Sequence, residues 1–565
     1  MSGVRWWGWI AFAAASAIGC GSCGAAQLAT QGEERDLRAE PQTRVPPGDP
    51  TLLVIAIDGA PRGLLYELIG SGELPALRAI LGGPERGELA HAHLDDTLLS
   101  TLPSSTLAAW ASIFTGATPA QHGIAGNEYF ARESRTLAAP APVSISSMEP
   151  VARTYTESYA DDLHQLPTVY ERLRERDASF SAWVAVSQFH GGADRLLLAD
   201  ASLGVEAFGA LIAGTGEDDA NLDLYASLDR EAVETVIEAL AERPAPKLIT
   251  VYLTGTDHYA HGSTAGPEAA LRRYLVEVVD PLIARLRDAL DQHHALDGRA
   301  VLVVSDHGHT AVEADDAHAL STGDGPDDPP AVLRGAGFRM RPFELEVDAN
   351  ADFDSVIVYG GAMAYAYVAD RSTCPRAGTV CDWARPARYE EDVIPLADAF
   401  FRASEQGTHA PGMRGTLDLV LVRRPVPLGE DARPFDVYVG DGRVEPLARY
   451  LEQHPHPHYV AVESRMRDLA VGPYGHHAGD VLLLARNGDE DRPEDRYYFA
   501  GHYRSWHGSP SRADSEVPLI VAHPERTPAQ LARRVRAVLG REPRQSDVAR
   551  VIEMLLDHDP APAPE

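Results

Sequence analysis

The eight residues Leu52-Leu53-Val54-Ile55-Ala56-Ile57-Asp58-Gly59 decide how the rest of the chain is read. Six consecutive apolar side chains leave no polar face. A strand made from them must be covered on both sides, as the inner strands of a parallel sheet are. The run then stops on an aspartate and a glycine, residues suited to a tight turn leaving a strand. Similar apolar runs recur at 181–186, 248–253, 301–304 and 517–522. Helical patterns lie between them. In 268–292, Leu271, Leu275, Val278, Val279, Leu282 and Leu286 keep helical spacing, and Pro281 is placed either to kink that helix or to divide it in two. Strands alternating with helices predict an α/β fold, with a mostly parallel central sheet flanked by helices.

The texture changes between 343 and 460. Strand-like runs at 356–359, 362–368, 417–422 and 437–439 follow one another without long helices between them. This predicts an inserted, partly antiparallel region that covers or flanks the main sheet. It contains the loop CPRAGTVC, in which Cys374 and Cys381 predict a local disulfide rather than a metal site of four clustered ligands. The chain is then expected to return to the core through 481–484 and 517–522, and to close with helices at 528–539 and 547–556. The expected organisation is a core in two parts, 51–342 and 461–557, interrupted by the insertion at 343–460. A Pro/Ala-rich tail at 558–565 reads as disordered.

At the amino end, Arg5 precedes a short apolar segment, 6–19, that ends in small residues. This is the pattern of an export signal and is too short to span a bilayer. Ala17-Ile18-Gly19-Cys20 resembles a bacterial lipoprotein box, with Cys20 as the acylated residue. Residues 21–50, rich in Gln, Glu, Arg, Gly and Pro, read as a flexible tether. The expected location is the cell envelope, facing the periplasm or the exterior, with membrane attachment through the lipid on Cys20. The formal charge of −33 repels polyanions. It argues against a broad nucleic-acid-binding surface but leaves room for a small pocket that takes one phosphate.

In open α/β sheets, ligands collect beyond the carboxyl ends of the strands. The first apolar run ends in Asp58, and the run at 248–253 leads to Asp257, with His261 four positions later. The run at 301–304 ends in Ser305-Asp306-His307-Gly308, and Ser505-Trp506-His507-Gly508 stands ahead of the strand at 517–522. Three aspartates and three histidines make an oxygen and nitrogen donor set suited to Zn²⁺ or a similar transition metal. Six such groups and one hydroxyl can hold two divalent ions, with positions left for substrate and water. The hydroxyl comes from 104–127, SSTLAAWASIFTGATPAQHGIAGN, where Thr106 precedes an apolar run and a Gly/Pro turn leads to His122 and Asn127. Alone, Thr106 reads as a helix cap and each aspartate as a turn former. Their joint placement at one sheet edge marks a site. His476, His477 and His502 are rivals for the last ligand position, which His507 fits best by its place before the strand. His454, His456 and His458 read as a solvated loop, His122 as a residue that orients its loop, and His309 as an outer neighbour of the metal motif or an ordinary polar contact.

This order of motifs resembles the alkaline phosphatase superfamily, and within it the nucleotide pyrophosphatase/phosphodiesterase branch, the type I phosphodiesterases. The resemblance rests on Asp58, Thr106 in T-x-x-x-W-x-S-x-x-T-G, Asp257-x-x-x-His261, Asp306-His307-Gly308 and His507-Gly508, and covers roughly 50–345 and 470–560. It implies one zinc on Asp58, Asp306 and His307 beside the nucleophile Thr106, and a second zinc on Asp257, His261 and His507. Asn127 matches an asparagine that points at a phosphate oxygen. The implied activity is hydrolysis of phosphate diesters or related anhydrides in a small phosphorylated substrate, through a phosphothreonine intermediate. The chain departs from the family at Asp58-Gly59-Ala60-Pro61-Arg62, where D-G-F-R is common, and at Thr106-Leu107-Ala108-Ala109, where T-F-P-N or T-x-P-A-W is usual. The residues that stack a nucleoside base have no match, which leaves a nucleotide substrate open. A phosphonate or phosphomonoester substrate on the same site, and a lipoprotein that only binds an anion or a partner, remain as alternatives.

Overall fold

The computed structural model describes residues 34–38, 44–85, 88–145, 147, 149–156, 158–198, 218–323, 325–488 and 490–557. The expected export signal with Cys20, most of the tether and the tail at 558–565 lie outside the described residues. Among the described residues, no helix is long and apolar enough to cross a membrane.

Two large sheets organise the chain. Their strands are β1 (Glu34–Asp36), β2 (Leu52–Ile57), β3 (Ala92–Asp95), β4 (Ala182–Ala185), β5 (Arg195–Leu197), β6 (Leu248–Leu253) and β7 (Ala300–Ser305), then β8 (Ser355–Gly360), β9 (Met363–Val368), β10 (Leu417–Val422), β11 (Asp436–Tyr438), β12 (Val444–Pro446), β13 (Val481–Ala485) and β14 (Leu519–Ala522). The first sheet has the order β1-β5-β4-β6-β2-β7-β14-β3. β5, β4, β6, β2 and β7 run parallel, so the fold is α/β with a mostly parallel central sheet. β2 lies between β6 and β7, and all six of its side chains are buried. Leu52, Val54 and Ala56 enter one core, and Leu53, Ile55 and Ile57 enter the core on the other face. This two-sided burial explains why the run has no polar alternation.

β14 runs antiparallel to β7, with Leu519 opposite Val304 and Ala522 opposite Val301. Its amino end therefore lies at the edge where β2, β6 and β7 have their carboxyl ends. Residues just before β14 reach the same edge as residues just after β2, β6 and β7.

The helices needed below are α1 (Thr106–Thr115), α2 (Asp218–Glu242), α3 (Gly255–Gly262), α4 (Pro267–Tyr274), α5 (Asp280–Gln292), α6 (Ile394–Gln406) and α7 (Val462–Ala470). The pattern at 268–292 becomes α4 and α5 joined by a π-turn at Leu275–Val279. Pro281 has no N–H for the carbonyl four residues back, and the wider turn takes up the disruption without ending the helical path.

The second sheet, β8-β9-β13-β10-β11-β12, is antiparallel throughout. Here one expectation is corrected. The run at 481–484 does not return to the core sheet but forms β13, between β9 and β10. An inner strand of either sheet needs the same unbroken apolar run, so periodicity cannot say which sheet receives it. One face of this second sheet, with Leu419, Leu421, Leu482 and Leu484, shares a core with Leu107, Trp110 and Phe130 of the main body. The other face is covered by α6 through Leu396 and Phe400. Cys374 and Cys381 form a disulfide whose two cysteines are buried in the shared core.

The approach to α1 is fixed by a fully buried arginine. Arg465 of α7 donates to the carbonyls of Ser100 (2.9 Å) and Thr101 (2.9 Å) and to Ser104 Oγ (2.8 Å). Burial lowers its pKa to about 9. Arg465→Met keeps the bulk but removes every donor, and should cost on the order of 3 kcal/mol because buried acceptors lose their partners. Thermal and urea unfolding check this. A midpoint equal to the wild type would show that the loop before α1 does not depend on Arg465.

Candidate active site and metal centre

Asp58 is the first residue after β2. Its N–H donates to the carbonyl of Leu253 (2.9 Å), and its Oδ2 takes the hydroxyl of Tyr252. Gly59 follows with φ +66°, and a Cβ there would come within 2.6 Å of His309 Nε2 and 3.0 Å of Asp257 Cβ. Only glycine fits this backbone and this approach. The Gly59 N–H donates to Asp306 Oδ1 (3.0 Å), and the His307 N–H donates to the same oxygen (3.0 Å). Asp306 Oδ2 is left over.

α3 begins just after β6. Asp229 of α2 accepts the N–H groups of Thr254 (2.8 Å) and Gly255 (3.1 Å), as well as the hydroxyl of Tyr274 (2.9 Å). A carboxylate at the amino end of α3 suits its dipole. The helical repeat then puts Asp257 and His261 one turn apart on one face, with Asp257 Oδ1 3.3 Å from His261 Nε2. His507 arrives on the segment that leads into β14.

The side chains form two adjoining triads. In one, His307 Nε2 lies 3.5 Å from Asp58 Oδ1 and 3.3 Å from Asp306 Oδ2. In the other, Asp257 Oδ1 lies 3.3 Å from His261 Nε2 and 3.8 Å from His507 Nε2. Within each triad the donor atoms lie within 4.8 Å of one another. The triads touch, with His307 Nε2 3.9 Å from Asp257 Oδ1 and the rings of His307 and His507 stacked at 3.6 Å.

The second nitrogen of each histidine is anchored on a backbone carbonyl. His261 Nδ1 meets Ser505 O (2.7 Å), His307 Nδ1 meets Gly308 O (3.1 Å) and His507 Nδ1 meets Ser104 O (3.0 Å). A carbonyl only accepts, so Nδ1 carries the proton and Nε2 turns its lone pair inward, the arrangement of ligating histidines. Asp58 Oδ1, Asp257 Oδ1 and Asp306 Oδ2 are buried without a hydrogen-bond partner. Orphaned buried carboxylate oxygens are costly. Three of them converging with three nitrogen lone pairs form a donor set that fits two divalent metal ions.

The electrostatics agree with that fit. Burial, then the charge of Asp257, pushes Asp58 up to about 7. Burial and the neighbouring Asp58 push Asp306 well above the carboxylate range. Asp257 moves the other way, because the charge of the neighbouring His261 and its other histidine neighbours outweigh its burial. Burial lowers His307 to about 3, and burial with the nearby His307 lowers His507. Asp58 and Asp306 thus hold protons that a cation can replace, whereas Asp257 is ionised and raises its neighbour His261.

Thr106 is the first residue of α1, and its Oγ1 lies 3.2 Å from His307 Nε2. The helix starts from Ser105 in an extended conformation and closes on Gly116 at φ +68°, with every side chain between buried. The Leu107 N–H, unpaired within the first turn of a helix, donates to Asn127 Oδ1 (3.0 Å). That bond orients the amide and leaves its NH₂ end as a donor.

Several contributors carry no clear mark in the sequence. His309 places Nε2 3.1 Å from Asp257 Oδ1 and anchors Nδ1 on Ser505 Oγ (3.2 Å), and its only signal was its place beside the Asp-His-Gly motif. Tyr252 is hidden inside an apolar run and reaches Asp58 only through the register of β6 with β2. Asp229 lies within a long helix. The rival histidines stand elsewhere: His476 and His477 on Glu133, and His502 on Asp316. His122 contacts Ser112 Oγ (3.0 Å) and accepts the Ile124 N–H, and His456 stacks on Tyr459.

Comparison with known proteins adds an independent line. The family profile described as type I phosphodiesterase / nucleotide pyrophosphatase matches residues 52–364, more than half of the chain and all the residues above except His507, Ser505, Arg465 and the other residues beyond 364. Ectonucleotide pyrophosphatase/phosphodiesterase family member 7 of Rattus norvegicus is 35% identical over 83 residues, 15% of this chain and 18% of the relative. The protein of the same name from Mus musculus gives the same figures. The match therefore spans under a fifth of these relatives' length. Among solved structures, murine ectonucleotide pyrophosphatase/phosphodiesterase 5 aligns over 90% of this chain and 95% of its own, at 11% identity. The TM-score is 0.47 for an inactive threonine-to-alanine variant in complex with AMP and 0.46 for a second structure.

Two tests follow. Gly59→Ala forces a Cβ between His309 and Asp257, and should reduce bound metal in a folded protein, read by elemental analysis. Unchanged metal content would show that the Asp58 turn tolerates the displacement. Next to Asn127, buried Glu128 accepts the N–H groups of Ser144 (2.7 Å) and Tyr359 (3.2 Å) through Oε1, and burial pushes its pKa up to about 7. A carboxyl raised in the folded state favours folding fully below its ordinary value near 4.5, and that contribution is lost as pH rises through 7. Glu128→Gln should therefore gain stability over the wild type above pH 7, by up to about 3 kcal/mol, and lose that advantage below pH 4.5. Urea melts across pH measure it, and a pH-independent difference would exclude ionisation of Glu128.

Proposed function

The chain belongs to the type I phosphodiesterase / nucleotide pyrophosphatase family, and from that premise we propose that it is a two-metal hydrolase of phosphate diesters or related phosphoric anhydrides, with Thr106 as its nucleophile. The observation that carries this reading is Thr106 Oγ1, 3.2 Å from His307 Nε2 where the two Asp/His triads meet. Asp58, Asp306 and His307 would hold one ion, and Asp257, His261 and His507 the other. Two bound divalent ions, Zn²⁺ by this donor set, would supply Lewis acidity that favours the threonine alkoxide and offsets charge on the phosphoryl and leaving oxygens.

Thr106 Oγ1, having released its proton to solvent, attacks phosphorus in line. The bond to the leaving ester oxygen breaks, and a phosphothreonine results. Water then attacks the same phosphorus, the bond to Thr106 breaks, and the threonine hydroxyl regains a proton. Asn127 donates from its NH₂ end to a non-bridging oxygen whose charge grows along the way. The amino end of α1 presents its positive dipole end to the same group. The outer contacts of His261, His307 and His507 keep their rings oriented through both steps.

The substrate is read as small and phosphorylated, because the charge of −33 disfavours polyanions. We place the protein outside the cytoplasm on its expected export signal and lipid-bearing Cys20, a reading supported by the Cys374–Cys381 disulfide.

The full-length protein loaded with Zn²⁺ should cleave bis(p-nitrophenyl) phosphate faster than p-nitrophenyl phosphate. Thr106→Ala should abolish turnover with bound metal unchanged from the wild type. Asn127→Ala should lower kcat by about 10²–10³. Turnover retained in Thr106→Ala would remove the nucleophile assignment, and faster cleavage of the monoester would reassign the substrate class.

A further inference from the structure

Away from the two triads, a second set of metal-ligating side chains converges. The strands Tyr129–Ala131 and Thr136–Ala138 form a hairpin, and Glu133 stands in its turn. His476 and His477 lie in the 3₁₀ turn Gly475–Ala478, just before β13. Glu133 Oε1 is 3.2 Å from His477 Nε2 and Glu133 Oε2 is 3.4 Å from His476 Nε2. The three donor groups present atoms all within 4.8 Å of one another.

The proton accounting at His477 is informative. Its ring is buried and stacked on Tyr129 at 4.6 Å, and its Nδ1 lies 2.6 Å from the carbonyl of Gly123. The carbonyl only accepts, so Nδ1 holds the proton. In the neutral ring, Nε2 then points a lone pair at a carboxylate oxygen. Two acceptors at that distance repel unless a proton or a cation lies between them. His476 brings a second ring nitrogen to the other carboxylate oxygen. The His476 contact can close on its own, since a neutral ring can hold its proton on Nε2, whereas the His477 contact needs an added proton or a cation, and one metal ion placed there would engage both rings and the carboxylate.

We infer that Glu133, His476 and His477 form a third metal site, for Zn²⁺, independent of the two triads. Two imidazoles and a carboxylate are a known zinc donor set, and water can complete the tetrahedron. Access is open, since the Glu133 side chain is 45% exposed and that of His476 17%. Two nearby guanidiniums have other partners, Arg132 with Asp480 and the Val368 carbonyl and Arg423 with the Ala470 carbonyl, although the charge of Arg423 still reaches His476. The ion would tie the hairpin turn to the turn before β13. Through the Gly123 carbonyl it would also brace the loop that carries Asn127, so its role is positioning rather than catalysis.

The test compares full-length wild type with His476→Ala and Glu133→Gln, each saturated with Zn²⁺, desalted and measured by elemental analysis. Each variant should carry one Zn²⁺ per chain fewer than the wild type. Equal thermal midpoints in EDTA establish that all three are folded. In an Asp58→Asn/Asp257→Asn background, which impairs both triads, Co²⁺ titration should still show one equivalent with four-coordinate visible absorption. Adding His476→Ala should remove it. Metal content unchanged by His476→Ala, with no Co²⁺ band in that background, would overturn the site and leave an imidazolium–carboxylate contact. The readout is a difference of one ion, so it stands or falls separately from the reading of Thr106 and the two triads.

Discussion

Three buried carboxylates held within reach of one another at one sheet edge are the constraint on which the rest of the structure depends. Asp58, Asp257 and Asp306 each keep one oxygen without a hydrogen-bond partner, while burial and mutual repulsion drive Asp58 and Asp306 toward their protonated forms. Left to relax, such groups would separate or turn to water. They stay because the backbone beneath them cannot move. β2 is locked between β6 and β7, and the three aspartates follow these adjacent strands at one end. The arrangement is costly for folding and useful for binding cations.

The supporting shell works by close approach. Gly59 brings the Asp58 turn against His309 and Asp257, and a Cβ on Gly255 would collide with the hydroxyl of Tyr274. That second contact packs the start of α3 onto the Tyr274–Asp229 pair. Gln545 takes the Thr101 N–H (2.8 Å) and donates to the carbonyls of Ser305 (3.1 Å) and Asp306 (2.5 Å). It thereby joins the approach to Thr106 directly to the strand that carries two of the donors. Arg465 holds the other side of the same approach. The nucleophile candidate and the candidate metal-binding set are thus parts of one hydrogen-bonded unit.

The second sheet belongs to this unit as well. It shares its inner core with α1 and with the segment after Asn127, and Tyr365 donates to the carbonyl of Ala125 (2.7 Å). Chain that reads as an insertion is therefore a wall of the body beside the site. A change in its packing can reach Asn127 without touching any side chain of the two triads.

The sequence alone determined the class of fold, because unbroken apolar runs separated by helical periods admit few arrangements other than a covered parallel sheet. It also made Asp58, Asp257, His261, Asp306 and His307 legible as a set, since each follows the end of such a run. His507 was legible by its place before a strand, yet it reaches the others only because β14 runs antiparallel, and strand direction leaves no trace in composition or period. The same lack of trace hid the placement of 481–484, which an inner strand of either sheet would satisfy. Tyr252, Asp229, His309 and Arg465 act through contacts across 194, 25, 52 and 361 or more positions of chain. Local sequence sets what a segment can form and what chemistry it carries. Which distant segments meet, in which register and direction, is settled only when the whole chain packs, because those choices depend on the summed burial of surfaces that no single segment contains.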